Sequence, residues 1–255
     1  MFDVIDRKTG KKLTVYSIQG DEFLVAAEQG FLFRDITDFT PATVAGSPVV
    51  QSTPCVFSAV HTENDELDAL LNRMQSGELP VKLGDMISFK LLDGTDIDMV
   101  VTDQDDSTIR LESRDCLEIN TSARQLDSYL DRIENLMPDT LLDRVIVRER
   151  PHVDAEGKRY TERRRLFVPA APEIFPPDEC YGDEGLYQQM EWYKDVRNRV
   201  RKQGRGGDTH WYWTGSPAGS NATNFCFVGS NGNANGNTAS VANGCAPFGC
   251  IISKV

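Results

Sequence analysis

The residues best placed for chemistry near the C-terminus are two thiols, Cys245 and Cys250, with four residues between them. A thiolate pair could hold a soft metal ion, but a lone pair without His neighbours makes a poor metal site. The three histidines, His61, His152 and His210, are scattered without ligand spacing, and Phe248 and Ile251 beside the thiols read as burial. Two structural thiols are therefore expected, and Cys55, Cys116, Cys180 and Cys226 read as small buried hydrophobes. Neither Cys-x-x-Cys nor a glycine-rich phosphate loop occurs, and no catalytic triad emerges. A hard cation needs several carboxylates or carbonyls. The chain has no Asp or Glu after Asp208, so a calcium site in the tail is not expected. The expected cofactor set is empty.

That tail differs in kind from the rest. After Asp208 the only Asp, Glu, Lys or Arg is Lys254, and Gly219 to Gly244 is dominated by Asn, Gly, Ala and Ser. Left free, such a composition is a flexible linker. Here it is framed by Trp211-Tyr212-Trp213 on one side and by Cys245 to Ile252 on the other, both apolar and suited to burial. The frame predicts a folded segment, with short strands at Phe225–Val228, Ala239–Val241 and Phe248–Ile252 and Asn-Gly turns at Asn231-Gly232 and Asn243-Gly244.

The elements that must position this segment follow from periodicity. Leu13, Val15, Phe23, Val25, Phe31 and Phe33 alternate with polar residues up to about residue 40, which predicts a small β-meander. Thr40 to Pro54 reads as a linker. Leu67, Leu70, Leu71 and Met74 share a helical face, with Thr62 to cap it and Gly77 to end it. Ile87, Phe89 and Leu91 alternate up to Asp93-Gly94, and Ile97, Met99 and Val101 alternate away, a hairpin followed by a strand with Ile109 and Leu111. A helix from about Ser122 carries Leu126, Leu130, Ile133 and Met137, and Pro138 breaks it before Leu141, Leu142 and Val145. A second hairpin is expected around Asp154–Gly157. A longer helix is expected from Asp183, striped by Leu186, Met190, Tyr193, Val196 and Val200 and stopped by Gly204, Gly206 and Gly207. Its last turns would hold Lys194, Arg197, Arg199, Arg201, Lys202 and Arg205, where the macrodipole favours cations.

The 255 residues, 40% hydrophobic and 26% charged, suit a globular protein of two domains with no membrane span. A net charge of -12 opposes general nucleic-acid binding. The acidic start at Met1-Phe2-Asp3 lacks the basic stretch of a secretory signal, so synthesis in the cytoplasm is expected.

From about Leu79 onward the chain resembles the variable proteins of diversity-generating retroelements. The resemblance is carried by Trp192-Tyr193-Lys194-Asp195, Trp211-Tyr212-Trp213-Thr214-Gly215-Ser216-Pro217, Phe225-Cys226, Gly232-Asn233-Ala234-Asn235, Ala239-Ser240 and Asn243-Gly244-Cys245-Ala246-Pro247. It implies an α+β protein with a C-type-lectin-like C-terminal domain over 79–255, variable at about 210–250. A connecting helix (55–78) and a small β-rich N-terminal domain with linker (1–54) would precede it. Such proteins display residues varied at template adenines, chiefly through AAC or AAT codons. Those codons, varied at both adenines, never give Lys, Glu, Gln, Met or Trp, and none occurs from Gly219 to Gly244. The implied ligand-binding positions are Thr214, Phe227, Gly229, Ser230, Asn231, Asn233, Asn235, Gly236, Asn237, Thr238 and Val241, over a scaffold of Trp211, Trp213 and Phe225.

The function implied is recognition rather than catalysis. The ligand would be a cell-surface protein or glycan, bound without calcium, by a phage receptor-binding or bacterial surface protein. A homotrimer or other oligomer would add avidity. Two alternatives come from other classes. Formylglycine-generating enzymes share the broad fold and use a copper-binding cysteine pair, the role Cys245 and Cys250 would fill. A structural phage tail component would bind no receptor.

Overall fold

The computed structural model describes residues 2–19, 22–27, 30–35, 38–41, 56–58, 64–153, 158–177, 186–218 and 223–254. The chain forms two compact units, Met1–Thr53 and Pro54–Val255.

In the first unit the alternating residues form an antiparallel meander of β1 (Phe2–Asp6), β2 (Lys12–Gln19), β3 (Glu22–Ala27) and β4 (Gly30–Asp35). A short β5 (Phe39–Pro41) returns to the other side of β1, giving the order β4-β3-β2-β1-β5. Thr40 and Pro41, expected to open a linker, are thus strand residues, and the rest of that linker lies outside the described residues. Val4, Val15, Val25 and Phe39 make the core. The β1–β2 turn is held by the Asp6 carboxylate, which accepts from the Lys8 and Thr9 N–H groups at 2.8 and 3.0 Å and pairs with Arg34.

The second unit mixes helices with several small, mostly antiparallel sheets, an α+β arrangement. It begins with β6 (Val56–Ser58) and α1 (Asn64–Gln75). α1, read from the sequence as a connector, packs Leu67, Leu71 and Met74 into this unit's core. Gly77, at φ 75°, follows its last turn. The proposed Thr62 cap lies outside the described residues. The hairpin at Asp93-Gly94 joins β7 (Met86–Lys90) to β8 (Asp96–Gln104), with Gly94 at φ 87°, and β9 (Thr108–Ser113) follows as expected.

A 3-10 turn at Ala123–Gln125 leads into α2 (Leu126–Glu134), and Pro138 precedes α3 (Asp139–Leu142). Leu126, Leu130, Ile133 and Met137 are all buried, as their stripe requires. The second hairpin pairs β10 (Arg148–Val153) with β11 (Arg159–Arg164) around residues that are not described. Next come α4 (Ala171–Ile174), α5 (Glu191–Lys194), β12 (Arg201–Lys202) and β13 (Thr209–His210). The chain ends with β14 (Tyr212–Pro217), β15 (Asn224–Val228), β16 (Ala234–Thr238) and β17 (Gly249–Ser253).

β17 pairs with β9 in a sheet of order β17-β9-β8-β7-β6, so the first and last strands of the unit share one sheet. Between β9 and β17 the described residues leave that sheet and touch it again at two isolated bridges to β17, Val145 with Ile252 and Phe167 with Gly249.

The long helix expected from Asp183 does not form over the described part. Only the single turn of α5 and a 3-10 turn at Val196–Arg199 appear. Asp195 is extended (φ -79°, ψ 113°), and its carboxylate accepts from the Arg197 N–H, starting a new turn instead of continuing the old one. The stripe fails with it: Tyr193 is buried, whereas Val196 is 45% exposed. The basic cluster is therefore no helix-end patch. Arg199 and Arg201 are buried, Arg197 pairs with Asp195 at 2.6 Å, and Lys194 pairs with Glu191 at 2.5 Å. No helix among the described residues is long and apolar enough to cross a membrane.

Candidate ligand-binding surface

β14, β15 and β16 form a three-stranded antiparallel sheet in that order, which leaves β16 at an edge. The register sets Trp213 beside Phe227 and Phe227 beside Asn235, so one row crosses all three strands on one face. Phe225 stands beside Asn237 in the next row. On the opposite face Cys226 and Val228 are buried with Tyr193, Tyr212 and Cys245.

Burial falls along the first row. Trp213 is 0% exposed and donates its indole N–H to the Thr121 carbonyl at 3.1 Å. Phe227 is partly buried, its ring edge-on to Trp211 at 5.0 Å and to Trp213 at 6.2 Å between centroids. Asn235 is exposed. Trp211 and Trp213 meet edge to face at 5.0 Å, and Trp211, Phe225 and Val241 are partly buried against the main core. Of the three aromatic residues read as a scaffold, Trp213 on β14 and Phe225 on β15 lie in the sheet itself, and Trp211 directly precedes β14.

Two glycines complete the frame. A Cβ on Gly244 would lie 2.5 and 2.6 Å from two ring carbons of Trp211 and 2.8 Å from Trp213 Nε1. Gly244 is bridged to Thr121, so Asn243-Gly244 is a strand-like contact and not the expected hairpin turn. Gly232, at φ 85°, does lie in the β15–β16 connection, where its N–H donates to the Gly229 carbonyl at 2.9 Å. A Cβ there would meet Val196 at 3.0 Å and Val200 at 3.4 Å. This loop therefore rests on the 3-10 turn that replaced the expected helix. An Asn-Gly pair in the sequence signals the turn, but the close approach depends on residues far along the chain.

Of the positions expected to be exchangeable, Ser230, Asn231, Asn233, Asn235, Gly236 and Thr238 are exposed, and Phe227, Gly229, Asn237 and Val241 are partly buried. Thr214 is a correction. It is 0% exposed, with its hydroxyl donating to the Cys226 carbonyl at 3.0 Å, so it belongs to the interior. The strand expected at Ala239–Val241 is also displaced: pairing ends at Thr238, and Ala239 is buried in the turn that follows.

The Asn residues of the edge strand act locally. The side-chain oxygens of Asn235 and Asn237 accept from the N–H of Gly236 and of Thr238, each at 2.8 Å. In the loop Asn231 accepts from the Asn233 N–H at 3.2 Å. Short amides at these sites occupy edge N–H groups that would otherwise invite another strand.

Beneath the sheet lies an ionic cluster that sequence reading missed. Glu112, fully buried on β9, receives Arg110 Nε at 2.8 Å, Arg201 Nη2 at 3.0 Å, the Thr102 hydroxyl at 3.1 Å and the Tyr193 hydroxyl. Glu173 receives Arg110 at 2.6 Å, Arg150 at 2.7 Å and the Ala170 N–H at 2.8 Å. Burial opposes its ionisation, but the two guanidiniums prevail and hold this carboxyl well below the usual carboxylate range. Arg201 also lies 5.4 Å from the Tyr212 ring, and the Tyr212 hydroxyl donates to the Arg199 carbonyl at 2.7 Å, which fixes the start of β14. Through Arg201 the cluster joins Tyr212 at the start of β14 to Glu112 on β9.

Cys245 and Cys250, expected as structural thiols and paired on copper only in the alternative reading, are both buried but in different clusters: Cys245 packs with Cys116 and Cys226, and Cys250 with the main core. Burial pushes the Cys250 thiol up to about 12, which disfavours its thiolate. Among the described residues no three His, Cys, Asp or Glu side chains gather as a metal site. Of the histidines, His152 is buried on β10 and His210 stacks on Trp211 at 5.9 Å, while His61 lies outside the described residues. No protein-family model, curated protein or solved structure matches the chain.

Proposed function

We infer that the second unit is a ligand-binding module of the C-type-lectin-like kind, whose β15–β16 hairpin displays exchangeable side chains in the manner of retroelement variable proteins. The observation that carries this reading is the division of labour in one short segment. Ser230, Asn231, Asn233, Asn235, Gly236 and Thr238 face solvent, while Trp211, Trp213, Phe225, Gly232 and Gly244 hold the backbone beneath them. A surface ordered before binding avoids that entropy cost on contact. Asn and Ser supply adaptable hydrogen bonds and Phe227 a rigid apolar anchor, a combination favoured in paratopes. The sheet that joins the first and last strands, with the display hairpin on the excursion between them, is consistent with the lectin-like frame.

The ligand on this reading is a protein or glycan on a cell surface, met by a phage or bacterial surface assembly. Binding is calcium-independent, because the display segment has no carboxylate. Sequencing the coding locus tests the reading. It predicts a neighbouring near-copy of the segment for about residues 210–250 that differs at adenines, together with a reverse transcriptase gene. A locus with neither would favour a fixed structural component.

A further inference from the structure

A cavity of about 350 Å³ opens where the start of α2, the β10–β11 hairpin and residues of β14 and β15 come together. Its size falls in the range of small-molecule sites, about 300–1,000 Å³. Leu130 and Val168, both buried, and Phe225, partly buried, give it an apolar lining. Tyr160 of β11 also lines it, 48% exposed and stacked on His152 of β10 with ring centroids 5.5 Å apart. The exposed side chains of the β15–β16 hairpin take no part in it.

Charges of both signs line the cavity. Arg124 is exposed, and its guanidinium forms no ion pair or hydrogen bond with a described residue, although its backbone N–H is fixed on the Ala239 carbonyl at 3.2 Å. Asp127 follows three residues later, a spacing that makes the two side chains neighbours on a helical turn, yet Asp127 pairs with Arg164 at 3.6 Å instead. On β11, Glu162 is the more enclosed carboxylate. Its Oε1 receives Arg164 Nε at 2.5 Å, whereas its Oε2 stands 3.5 Å from His152 Nε2, beyond hydrogen-bond length. Burial raises this carboxyl even with His152 and Arg164 beside it, so its charge is poorly solvated and gains from a further cationic donor.

A simple anion in this cavity would meet Glu162 and Asp127, and a simple cation would meet Arg124. A ligand that carries both charges on a small apolar body meets each wall with its counterpart. We propose that the cavity binds a free α-amino acid with an apolar side chain. Arg124 donates to the ligand carboxylate, in the forked geometry that guanidinium and carboxylate favour. Glu162 Oε2 and Asp127 accept from its ammonium group. The side chain rests against Leu130, Val168 and Phe225, beside Tyr160. This site is separate from the β15–β16 hairpin, and the inference does not rest on the function proposed for that hairpin.

The test titrates the full chain by calorimetry with L-leucine, L-methionine and L-phenylalanine. Two blocked forms accompany them: leucinamide, which lacks the carboxylate, and N-acetyl-L-leucine, which lacks the ammonium group. At least one free amino acid should bind saturably, with a Kd below about 1 mM, and each blocked form of leucine should bind at least about tenfold more weakly than leucine itself. Arg124→Gln should weaken the free amino acid about tenfold and abolish its advantage over leucinamide; Glu162→Gln should abolish the advantage over N-acetyl-L-leucine. Arg124 is exposed, so its variant should keep the parent thermal midpoint, and Asn235→Ala on the hairpin should leave binding unchanged. No binding of any of the three up to about 10 mM overturns the proposal. So do blocked forms that bind as well as free ones, preferences that survive both substitutions, or a cavity that takes methyl α-D-glucopyranoside in their place.

Discussion

Trp213, Phe227 and Asn235 stand side by side across β14, β15 and β16, so one truncation made three times measures how support passes into display. Trp213→Ala removes a fully buried indole and its hydrogen bond to the Thr121 carbonyl. Large-to-small changes of this kind cost about 3–5 kcal/mol. Phe227→Ala forfeits the burial of part of one ring and two edge contacts, at 5.0 and 6.2 Å, for a loss of about 2 kcal/mol. Asn235→Ala removes an exposed amide whose bond to the Gly236 N–H water can replace, and should stay within about 0.5 kcal/mol. Urea denaturation followed by tryptophan fluorescence isolates the relevant unit, because all three tryptophans (192, 211 and 213) lie in it. Trp213→Ala leaves two of them to report. The order Trp213, Phe227, Asn235 with a spread of at least about 2.5 kcal/mol is required. An Asn235 variant as damaging as Phe227→Ala, or a Trp213 variant costing under about 1 kcal/mol, would refute the division between frame and display.

Gly244→Ala forces a methyl against both tryptophans and should cost about 1–3 kcal/mol with a changed near-ultraviolet circular dichroism signal; an unchanged signal and stability would show that Trp211 can simply move. Gly232→Ala combines a left-handed φ with contact at Val196 and should destabilise by more than about 1 kcal/mol, whereas the neighbouring Asn231→Ala should not, as thermal melts would read. Glu112→Gln leaves Arg201 and Arg110 facing an uncharged amide inside the protein and should cost about 3–5 kcal/mol in the same urea assay; a loss below about 1 kcal/mol would mean the cluster is solvated. In the first unit, the hydrogen bond from Arg34 holds the Asp6 carboxyl at about 2, below its ordinary 3.8. Its contribution is therefore fully present above about pH 3.8 and is lost as pH falls from there through about 2. Carboxyl chemical shifts followed by NMR should show the midpoint near 2, and a midpoint at 3.8 would contradict the pairing.

Local signals were legible in the chain. Asp93-Gly94 needed only its own turn chemistry and flanking alternation to define β7 and β8, and the stripe from Leu126 to Met137 needed only helical spacing. The stretch from Met190 to Val200 misled because its apolar spacing is helical, yet Asp195 prefers to cap the turn that follows it. Arg199 and Arg201 looked like surface cations, and their burial depends on Tyr193 beside them and on Glu112, which is remote in sequence. Ion pairs between such distant residues leave no periodic trace. The Asn- and Gly-rich segment stood out in composition and in its aromatic borders. Which of its residues face inward was not legible: Thr214 is small and polar by type but is fully buried on β14, bonded to the Cys226 carbonyl, and Gly244 matters only because two distant indoles converge on it.

The central claim is that positions between Phe227 and Val241 are exchanged while their frame is kept, and population sequencing of the coding segment for residues 210–250 tests it most directly. Across sister copies, substitutions should concentrate at Phe227, Gly229, Ser230, Asn231, Asn233, Asn235, Gly236, Asn237, Thr238 and Val241. They should follow adenines of AAC or AAT codons, with Trp211, Trp213, Phe225, Gly232 and Gly244 unchanged. Substitutions spread evenly over the segment, or striking the tryptophans and glycines as often as the exposed asparagines, would contradict it.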